Sequence, residues 1–507
     1  MKKYRFQLAT LSLAVAAAFS LTACSDDNSG GSNGSDPEID RVDGVAHSAG
    51  ILFNNGTQIG NGDQSFVFTG KQTISRGTYT LKGWVYVADG AELTIEPGTI
   101  IKGDKDTKAT LIVEPGGKAI MEGTASAPIV MTSAQPAGSR KPGDWGGLIV
   151  CGNARNNQNE MQIEGGPRTK HGGDNDADNS GIYRYIRIEF AGAPYQEDQE
   201  INGFTLGSVG NTTAVDHIQV SYSNDDSYEW FGGNVNAKYL IAYKGWDDDF
   251  DTDNGFSGSV QFGLVVRDPR LADQSQSNSF ESDNCADGAE VSPYTSALFS
   301  NITFIGPNTQ KNVSDGFQNN TSYINGGGLF PNNNSKLGLF QAAMQIRRSS
   351  RLNCINSVAV GYPIGLILDG DKGNTVDCAK NGMLRLQNLV FAGMTALGTD
   401  NNKKYEDEYY DKGTDTYDTT RVSYSHEFFM AQPGNQVLTE AELNLTDAAN
   451  VGQAYCPGAN SPLLSGASFS GITNLFINQV KYIGAFGGST DNWMSGWTNF
   501  DPQNTVY

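Results

Sequence analysis

Two short acidic loops have the residue types and the spacing of metal ligands. Residues 174–179 read DNDADN and residues 249–254 read DFDTDN, so each places three Asp at alternate positions before an Asn. Calcium binds six to eight oxygen atoms at about 2.3–2.6 Å, and alternate acidic residues on a turning loop supply several of them. Neither loop is an EF-hand, since no Gly directly follows the third Asp and no Glu stands at position twelve. Each loop is either a calcium site or a solvated acidic turn.

A larger acidic group recurs after about 22 residues, where Asp225 and Asp226 are followed by Asp247, Asp248 and Asp249. If these segments are stacked coils, the two clusters lie one strand spacing apart, about 4.8 Å. Carboxylates that close repel each other unless a cation or shared protons compensate. The pattern indicates a metal site or a carboxylate catalytic site. The predicted calcium ligands are Asp174, Asp176, Asp178, Asp247, Asp249, Asp251 and Asp253, and the catalytic candidates are Asp225, Asp226, Asp248 and Asp249.

The elements that must position these residues are short strands repeated at nearly constant intervals. The segment at 91–98, AELTIEPG, is echoed by TLIVEPG at 110–116. Strands predicted at 217–222, 238–243 and 260–265 start about one interval apart, and in the first of them apolar and polar residues alternate. A period near 20 residues, with one strand and one Gly-containing turn in each repeat, predicts a β-solenoid.

Composition agrees with an all-β body, because the chain has 61 Gly and no long amphipathic helical pattern. Later strands share a frame that begins with Asn and ends with Gly, at 301–306, 356–361 and 388–393. The Asn residues either form a buried polar ladder between coils or reflect turn preference alone. We predict a solenoid over residues 46–395 and an irregular C-terminal capping or fold-back region over residues 396–507.

The first 23 residues predict export. A basic start precedes an apolar run that is too short to span a bilayer comfortably. The following Leu21-Thr22-Ala23-Cys24 resembles the lipobox of bacterial lipoproteins, which implies lipidation of Cys24, although a plain secretory peptide with an incidental Cys is the alternative. Residues 24–45 then read as an acidic flexible tether. We predict a protein anchored by lipid in the outer membrane and facing the cell surface.

The net charge limits the classes of partner, and the cysteine count limits the possible disulfides. Removing residues 1–23 deletes two Lys, one Arg and no acid, so the formal charge moves from −21 to −24, which excludes nucleic acid as a partner. Five Cys remain besides Cys24, and an odd count leaves at least one thiol unpaired. Cys354 and Cys378, about one coil apart, are the predicted disulfide, and Cys151 is the predicted buried free thiol.

Seven segments spread along the chain carry a family resemblance. The first three are LTIEPGTIIKG at 93–103, EGTASAPI at 122–129 and DWGGLIV at 144–150. The others are DDSYEWFGG at 225–233, DDDFDTD at 247–253, GAFGG at 484–488 and GWTNFDP at 496–502. Together they resemble bacterial right-handed parallel β-helix exoproteins of the pectate-lyase-like superfamily. The resemblance implies an all-β, right-handed parallel β-helix in an exported protein or lipoprotein, and it implies no particular reaction.

One function that this fold allows is carbohydrate cleavage by a polysaccharide lyase or glycoside hydrolase. β-Helix hydrolases use clustered Asp as acid and base, and β-helix lyases hold Ca²⁺ on stacked acidic residues while Arg or Lys takes the proton. The Gly-His-Gly and Arg-Ile-Lys motifs of polygalacturonases are absent from the sequence. The basic candidates are His217, Lys244 and Arg267. The aromatic residues that could stack on sugars, or pack at coil ends, are Tyr228, Trp230, Phe231 and Trp246.

The other function is a calcium-stabilised binding or structural module. Its partners would be the membrane, through the lipid anchor, and a glycan, the matrix or an outer-membrane receptor. This function needs only the tether, the solenoid and the metal loops, all of which the sequence predicts. Fold analogy alone does not establish catalysis, so the sequence favours the binding module over the enzyme.

Overall fold

The computed structural model describes residues 57–158, 161–163, 168–196, 199–309, 338–446 and 455–507, together with the backbone of three short strands between residues 40 and 53. The predicted signal peptide, Cys24 and most of the predicted tether therefore lie outside the described residues. The last part of the predicted tether forms strands, because residues 40–42 pair with residues 45–48 in an antiparallel hairpin. No helix in the described ranges is long and apolar enough to cross a bilayer.

Short strands make up most of the described chain, and their bounds follow in chain order. Strands β1 to β14 are Asp40–Val42, Val45–Ser48, Leu52–Phe53, Gln58–Ile59, Phe66–Phe68, Lys71–Ile74, Thr78–Leu81, Trp84–Val87, Glu92–Ile95, Ile100–Gly103, Thr110–Val113, Lys118–Glu122, Ile129–Ser133 and Gly147–Cys151. Strands β15 to β27 are Met161–Gln162, Lys170–His171, Gly181–Glu189, Pro194–Gln196, Gln199–Glu200, Phe204–Gly207, Ala214–Ser221, Tyr228–Phe231, Asn236–Tyr243, Phe250–Asp253, Ser259–Val266, Phe280–Ser282 and Leu298–Ile305. Strands β28 to β37 are Ala342–Ile346, Asn353–Ile355, Val358–Val360, Ile364–Leu368, Arg385–Gln387, Val390–Ala392, Ala396–Thr399, Tyr409–Asp411, Thr416–Asp418 and Gln436–Leu438. The helices α1 to α3 are Thr375–Lys380, Tyr424–Ala431 and Glu440–Leu443, and a 3₁₀ turn covers Pro462–Leu464.

Most of the strands belong to two long sheets whose pairs are almost all parallel. The first sheet has the order β1-β2-β5-β8-β11-β14-β20-β22-β24-β26-β28-β31-β34. The second sheet contains β3, β4, β6, β7, β9, β10, β12, β13, β17, β21, β23, β25, β27, β29, β30, β32, β33 and β37. Strands of the two sheets alternate along the chain, as in β22 to β27, so each of these coils adds one strand to each sheet. This arrangement is a parallel β-solenoid.

Alternation of side chains decides which residues face the core. In β22 and β24 the residues alternate between buried and half-buried positions. Tyr228 is in register with Phe250, which is in register with Phe280, so large rings stack in the interior. The intervening residues point outward. A shift of one residue would exchange the two faces, so the apolar pattern fixes the register.

The Asn-first frame reflects a bend that recurs in the second sheet. Each long strand from β17 to β27 contains a residue with positive φ, and these residues stack in register: Tyr185, His217, Tyr239, Phe262 and Asn301. Asn356 and Asn388 have the same conformation. Asn356 hydrogen-bonds Ser468, near the C-terminus, through both its amide group and its carbonyl oxygen. Asn tolerates positive φ better than most residues, which suits it to this bend. Asn301 also accepts a hydrogen bond from Gln261 in the neighbouring coil, so the side chain contributes as well.

The solenoid continues beyond the predicted boundary at residue 395. Strand β34 pairs in parallel with β31, and β37 pairs in parallel with β33. Residues 455–507, which we call the return segment, then lie along the second sheet and run back towards earlier coils. The hydrogen-bonded pairs are Ser468 with Asn356, Asn478 with Gln261, Asn499 with Gln219 and Tyr507 with Glu189.

Candidate functional site

An acidic cleft of about 310 Å³ opens on the outward face of the first sheet, across β22, β24 and β26. Its walls carry nine carboxylates, two guanidinium groups and one aromatic ring, Phe231. The carboxylates are those of Asp225, Asp226, Glu229, Asp247, Asp248, Asp251, Asp253, Glu281 and Asp283, and the guanidinium groups are those of Arg347 and Arg348. We call this set the acidic cleft.

The parallel register explains why so many acids meet here. Glu229, Asp251 and Glu281 are in register on adjacent strands, at outward positions between buried aromatic or small residues. They form a row with a spacing of about 4.8 Å. The turns before the strands stack in the same way, so the backbone N–H of Asp248 donates to the Oδ1 of Asp226 at 2.9 Å. The structure thus brings together the two clusters that the 22-residue interval predicts to be neighbours.

Two groups of three carboxylates have the geometry of cation ligands. One oxygen from each of Asp225, Asp226 and Asp247 lies within 4.8 Å of the others, and the same holds for Asp226, Glu229 and Asp251. Asp226 belongs to both groups. The Oδ1 atoms of Asp247 and Asp251 are buried and have no hydrogen-bond partner. Buried carboxylate oxygens are costly unless they are paired or bind a metal, so these residues fit a hard cation such as Ca²⁺.

Burial and mutual repulsion raise the pKa values of the acids in the cleft. Burial is the larger cause, and it raises the pKa of Asp226 well above its ordinary value, with further increases from Asp225 and Asp251. Burial, together with the neighbouring Asp283, raises the pKa of Asp253 to about 7. Burial raises the pKa of Glu281 to about 6, although Arg347 opposes the shift. Without a cation, several of these groups therefore hold protons near neutral pH.

Arginine side chains compensate the charge at one end of the cleft. Arg347 forms ion pairs with Glu281 and with Asp283, the latter at 2.8 Å. Arg348 also pairs with Asp283. The basic residues predicted from the sequence lie elsewhere: His217 stacks between Tyr185 and Tyr239, Lys244 pairs with Asp268, and Arg267 is buried.

Asp249 does not line the cleft, so its prediction as a calcium ligand and catalytic residue was wrong. Its carboxylate pairs with Arg267 at 3.0 Å, and both side chains are fully buried. The Oγ of Ser279 also donates to it, at 2.9 Å. In the register, Asp249 occupies the position of Ser227 and Ser279, which are completely buried. Arg267 in turn donates to the backbone carbonyl of Asp247 at 2.6 Å, so the pair supports the floor of the cleft.

The other acidic loop does not gather its carboxylates around one point. Asp176 pairs with Arg155, and this pairing lowers the pKa of Asp176. Asp178 is buried and accepts a hydrogen bond from Ser180 at 3.0 Å, whereas Asp174 is exposed. The three Asp of this loop therefore have separate surroundings, and their role as joint calcium ligands stays a prediction.

Three of the four aromatic residues predicted to bind sugar belong to the core. Tyr228, Trp230 and Trp246 are completely buried. Tyr228 and Trp230 stack on each other at 5.9 Å, and the Tyr228 hydroxyl donates to the carbonyl of Ile218. None of the three can reach a sugar in the cleft, so this prediction was wrong.

The predicted disulfide is also not formed. Cys354 and Cys378 are free and buried, as are Cys151 and Cys285. Cys354 lies in β29, where it is in register with Leu386, which is 32 residues later. Cys378 lies in α1, which follows β31, and its Sγ donates to Asn374. A spacing of one coil therefore does not place the two thiols together.

Phe231, the fourth aromatic residue predicted to stack on sugar, does line the cleft. Sequence reasoning missed other residues that complete the cleft: Asn202, Glu229, Glu281, Asp283, Arg347 and Arg348. A signal was present, because YEWF at 228–231, FDTD at 250–253 and FESD at 280–283 all place acids between buried residues. The interval between the last two segments is 30 residues, so the constant-period pattern did not align them.

Comparison with known proteins agrees with this architecture. A family model described as a pectate-lyase-like β-helix domain matches residues 67–428, which is more than half of the chain. No curated protein and no solved structure matches the chain. The parallel sheets and the family match together confirm the all-β parallel β-helix expected from the sequence. The chain belongs to the family of pectate-lyase-like β-helix domains.

Proposed function

We propose that this protein is a calcium-dependent glycan-binding module whose ligand site is the acidic cleft. The observation that supports it most is the pair of three-carboxylate groups that share Asp226, together with the unpartnered buried oxygens of Asp247 and Asp251. A protein surface keeps such oxygens without partners when a cation supplies the missing interaction. We name Ca²⁺ because all the candidate ligands are carboxylate oxygens.

The residues of the cleft have separate roles in this proposal. Asp225, Asp226 and Asp247 hold one cation, and Asp226, Glu229 and Asp251 hold a second. A bound Ca²⁺ supplies positive charge and free coordination positions for the hydroxyl or carboxylate oxygens of a sugar. Arg267 keeps the Asp247 backbone in place through its carbonyl, and Phe231 offers the cleft its ring.

The site of action in the proposal is the outer face of the cell. The lipobox at residues 21–24 and the acidic residues after it support an outer-membrane lipoprotein. The Cys24→Ala variant should leave the membrane fraction and remain soluble after cell lysis, whereas the wild-type protein should sediment with membranes. Equal release of both proteins would contradict the lipid anchor.

A second candidate is cleavage of the bound glycan. The raised pKa values of Asp253 and Glu281, about 7 and about 6, are those of a group that can act as a general acid near neutral pH. We would test it by incubating the protein and its Glu281→Gln variant with polygalacturonate, alginate and neutral polysaccharides, and by following products with mass spectrometry. Products from the wild type alone would make the protein an enzyme.

Calorimetric titration with Ca²⁺ tests the binding proposal directly. We expect saturable binding by the mature chain and at least tenfold weaker binding by Asp226→Asn, because both ligand groups use Asp226. The Asp176→Asn variant is the matched control, since Asp176 lies outside the cleft and pairs with Arg155. Acidic polysaccharides should then be retained in Ca²⁺ and released in EDTA. No saturable binding, or equal loss in both variants, would refute the proposal.

A further inference from the structure

A second cleft, of about 300 Å³, lies in the C-terminal part of the solenoid and shares no lining residue with the acidic cleft. It is enclosed by α1 and the loop before it, by β35 and the hairpin turn that follows it, and by the start of α2. All these elements belong to one continuous described range. We call it the tyrosine cleft, after Tyr409, Tyr410 and Tyr424, which line it.

Each tyrosine ring is held by a neighbour. The guanidinium of Arg421 lies 3.8 Å from the centre of the Tyr409 ring. The ring centres of Tyr410 and Tyr417 are 5.1 Å apart, and those of Tyr424 and Phe428 are 6.1 Å apart. The three tyrosines are half-buried rather than buried. They therefore present fixed aromatic surface to the cleft. In the strands of the acidic cleft, by contrast, rings such as Tyr228 and Trp230 are buried in the core.

The cleft is also preformed. The Nζ of Lys412, on the turn of the hairpin, donates to the carbonyl of Gly370 on the opposite wall. Asp400 accepts hydrogen bonds from the backbone N–H groups of Tyr424 and Ser425, at 2.9 and 2.8 Å, which fixes the start of α2. A binding site that is already ordered loses little entropy when its ligand arrives.

The polar groups at the cleft are nearly balanced in charge. The lining has three acids, Asp377, Asp400 and Asp411, and two amines, Lys380 and Lys412. Lys380 and Asp377 lie 3.8 Å apart and are both more than half exposed. This balance contrasts with the nine carboxylates of the acidic cleft. It favours a ligand without net charge whose many hydroxyl groups can pair with both acids and amines.

We propose that the tyrosine cleft binds a neutral oligosaccharide without any metal. Aromatic rings offer flat apolar surface to the C–H faces of sugar rings, and the surrounding acids and amines accept and donate hydrogen bonds to hydroxyl groups. A volume of about 300 Å³ is at the small end of ligand pockets, which suits a short stretch of a chain rather than a folded partner. The chain then carries two glycan sites that differ in charge and in metal dependence.

The test uses the mature full-length protein in EDTA, titrated with cellohexaose, xylohexaose and mannohexaose in calorimetry. We expect one of these to bind, at least tenfold weaker binding by the Tyr409→Ala and Tyr410→Ala variants, and at most a threefold change in Tyr410→Phe, which keeps the ring. Asp226→Asn is the matched control and should bind the sugar as the wild type does, because it alters only the acidic cleft. Melting temperatures within a few degrees of the wild type show that the variants are folded.

Two results would overturn the proposal: no binding of any of the three hexasaccharides at millimolar concentration, or binding that the tyrosine substitutions leave unchanged. Binding that requires Ca²⁺ and disappears in Asp226→Asn would also overturn it, because the sugar would then occupy the acidic cleft. The proposal does not depend on calcium binding, so failure of the calcium titration leaves this test decisive.

Discussion

In the absence of calcium, we expect the stability of this protein to fall as pH rises. The pKa of Asp253 rises on folding from 3.8 to about 7, and that of Glu281 from 4.5 to about 6. A carboxyl whose pKa is higher in the folded state binds its proton more tightly there, so its contribution is complete below the unfolded pKa and is lost as pH rises through the folded value. In EDTA we therefore expect the loss between pH 5 and pH 8.

The magnitude follows from the same shifts. Between pH 5, the lowest pH of the measurement, and the folded pKa of about 7, Asp253 loses its contribution over about two pH units, which is about 2.7 kcal/mol. Glu281, with a folded pKa of about 6, loses its contribution over about one pH unit, which is about 1.4 kcal/mol. The two groups share the repulsion of Asp283, so their contributions are not additive. From these two groups we expect a decrease of about 2–4 kcal/mol in the free energy of unfolding, or roughly 2–4 °C in melting temperature for a chain of this size.

Differential scanning fluorimetry at pH 5, 6, 7 and 8, with EDTA and with excess Ca²⁺, measures this directly. Ca²⁺ should remove most of the slope, because the bound cation compensates the ionised carboxylates. Asp253→Asn should flatten the slope in EDTA, whereas the control Asp176→Asn should leave it unchanged, since Arg155 lowers the pKa of Asp176. A stability that is constant or rises from pH 5 to pH 8 in EDTA would refute the reasoning.

Three further predictions concern the buried residues. Arg267→Met leaves the carboxylate of Asp249 buried without its ion pair, so it should lower the free energy of unfolding in urea by about 3–5 kcal/mol. The additional change Asp249→Leu should recover part of this loss, and a single variant as stable as the wild type would show that the pair is dispensable. Trp230→Ala should cost about 3–5 kcal/mol because it opens a cavity in the core, whereas a ring that only stacks on sugar would cost little. Cys354 and Cys378 should both resist a maleimide in the folded protein and react after unfolding, because both thiols are buried and burial raises the pKa of the Cys354 thiol to about 12. A peptide that links the two residues in a non-reducing digest would contradict this.

The fold was predictable because apolar and polar residues alternate within the strands and because strands recur at a nearly constant interval. The period near 20 residues and the clustered Asp225, Asp226, Asp247 and Asp248 were enough to place neighbouring coils side by side. Stacked strands of nearly equal length convert a sequence interval into a spatial one. The general position of the candidate site followed from this.

The residues that make up the site were not predictable, because successive residues of a strand face alternately outward and into the core, and an error of one position exchanges the two faces. Asp249 is one residue away from the outward-facing Asp248 and pairs with a buried arginine instead. Trp230 sits between the outward-facing Glu229 and Phe231 and faces the core. The arginines of the cleft, at 347 and 348, come about 65 residues after the acids they pair with, across a coil of unequal length, so no periodic pattern indicated them.

The return segment gives the solenoid a property that stacked coils do not have by themselves. A solenoid whose coils touch only their neighbours gains stability coil by coil and can open from either end. Here one stretch of chain is bonded to widely separated coils, and its last residue, Tyr507, accepts a hydrogen bond from Lys102 at 2.7 Å across 405 positions of sequence. Opening one coil then breaks contacts that support the others, so we expect the array to unfold more cooperatively than a solenoid without this segment. Such long-range contacts also lengthen the average loop that folding must close, which predicts slow folding.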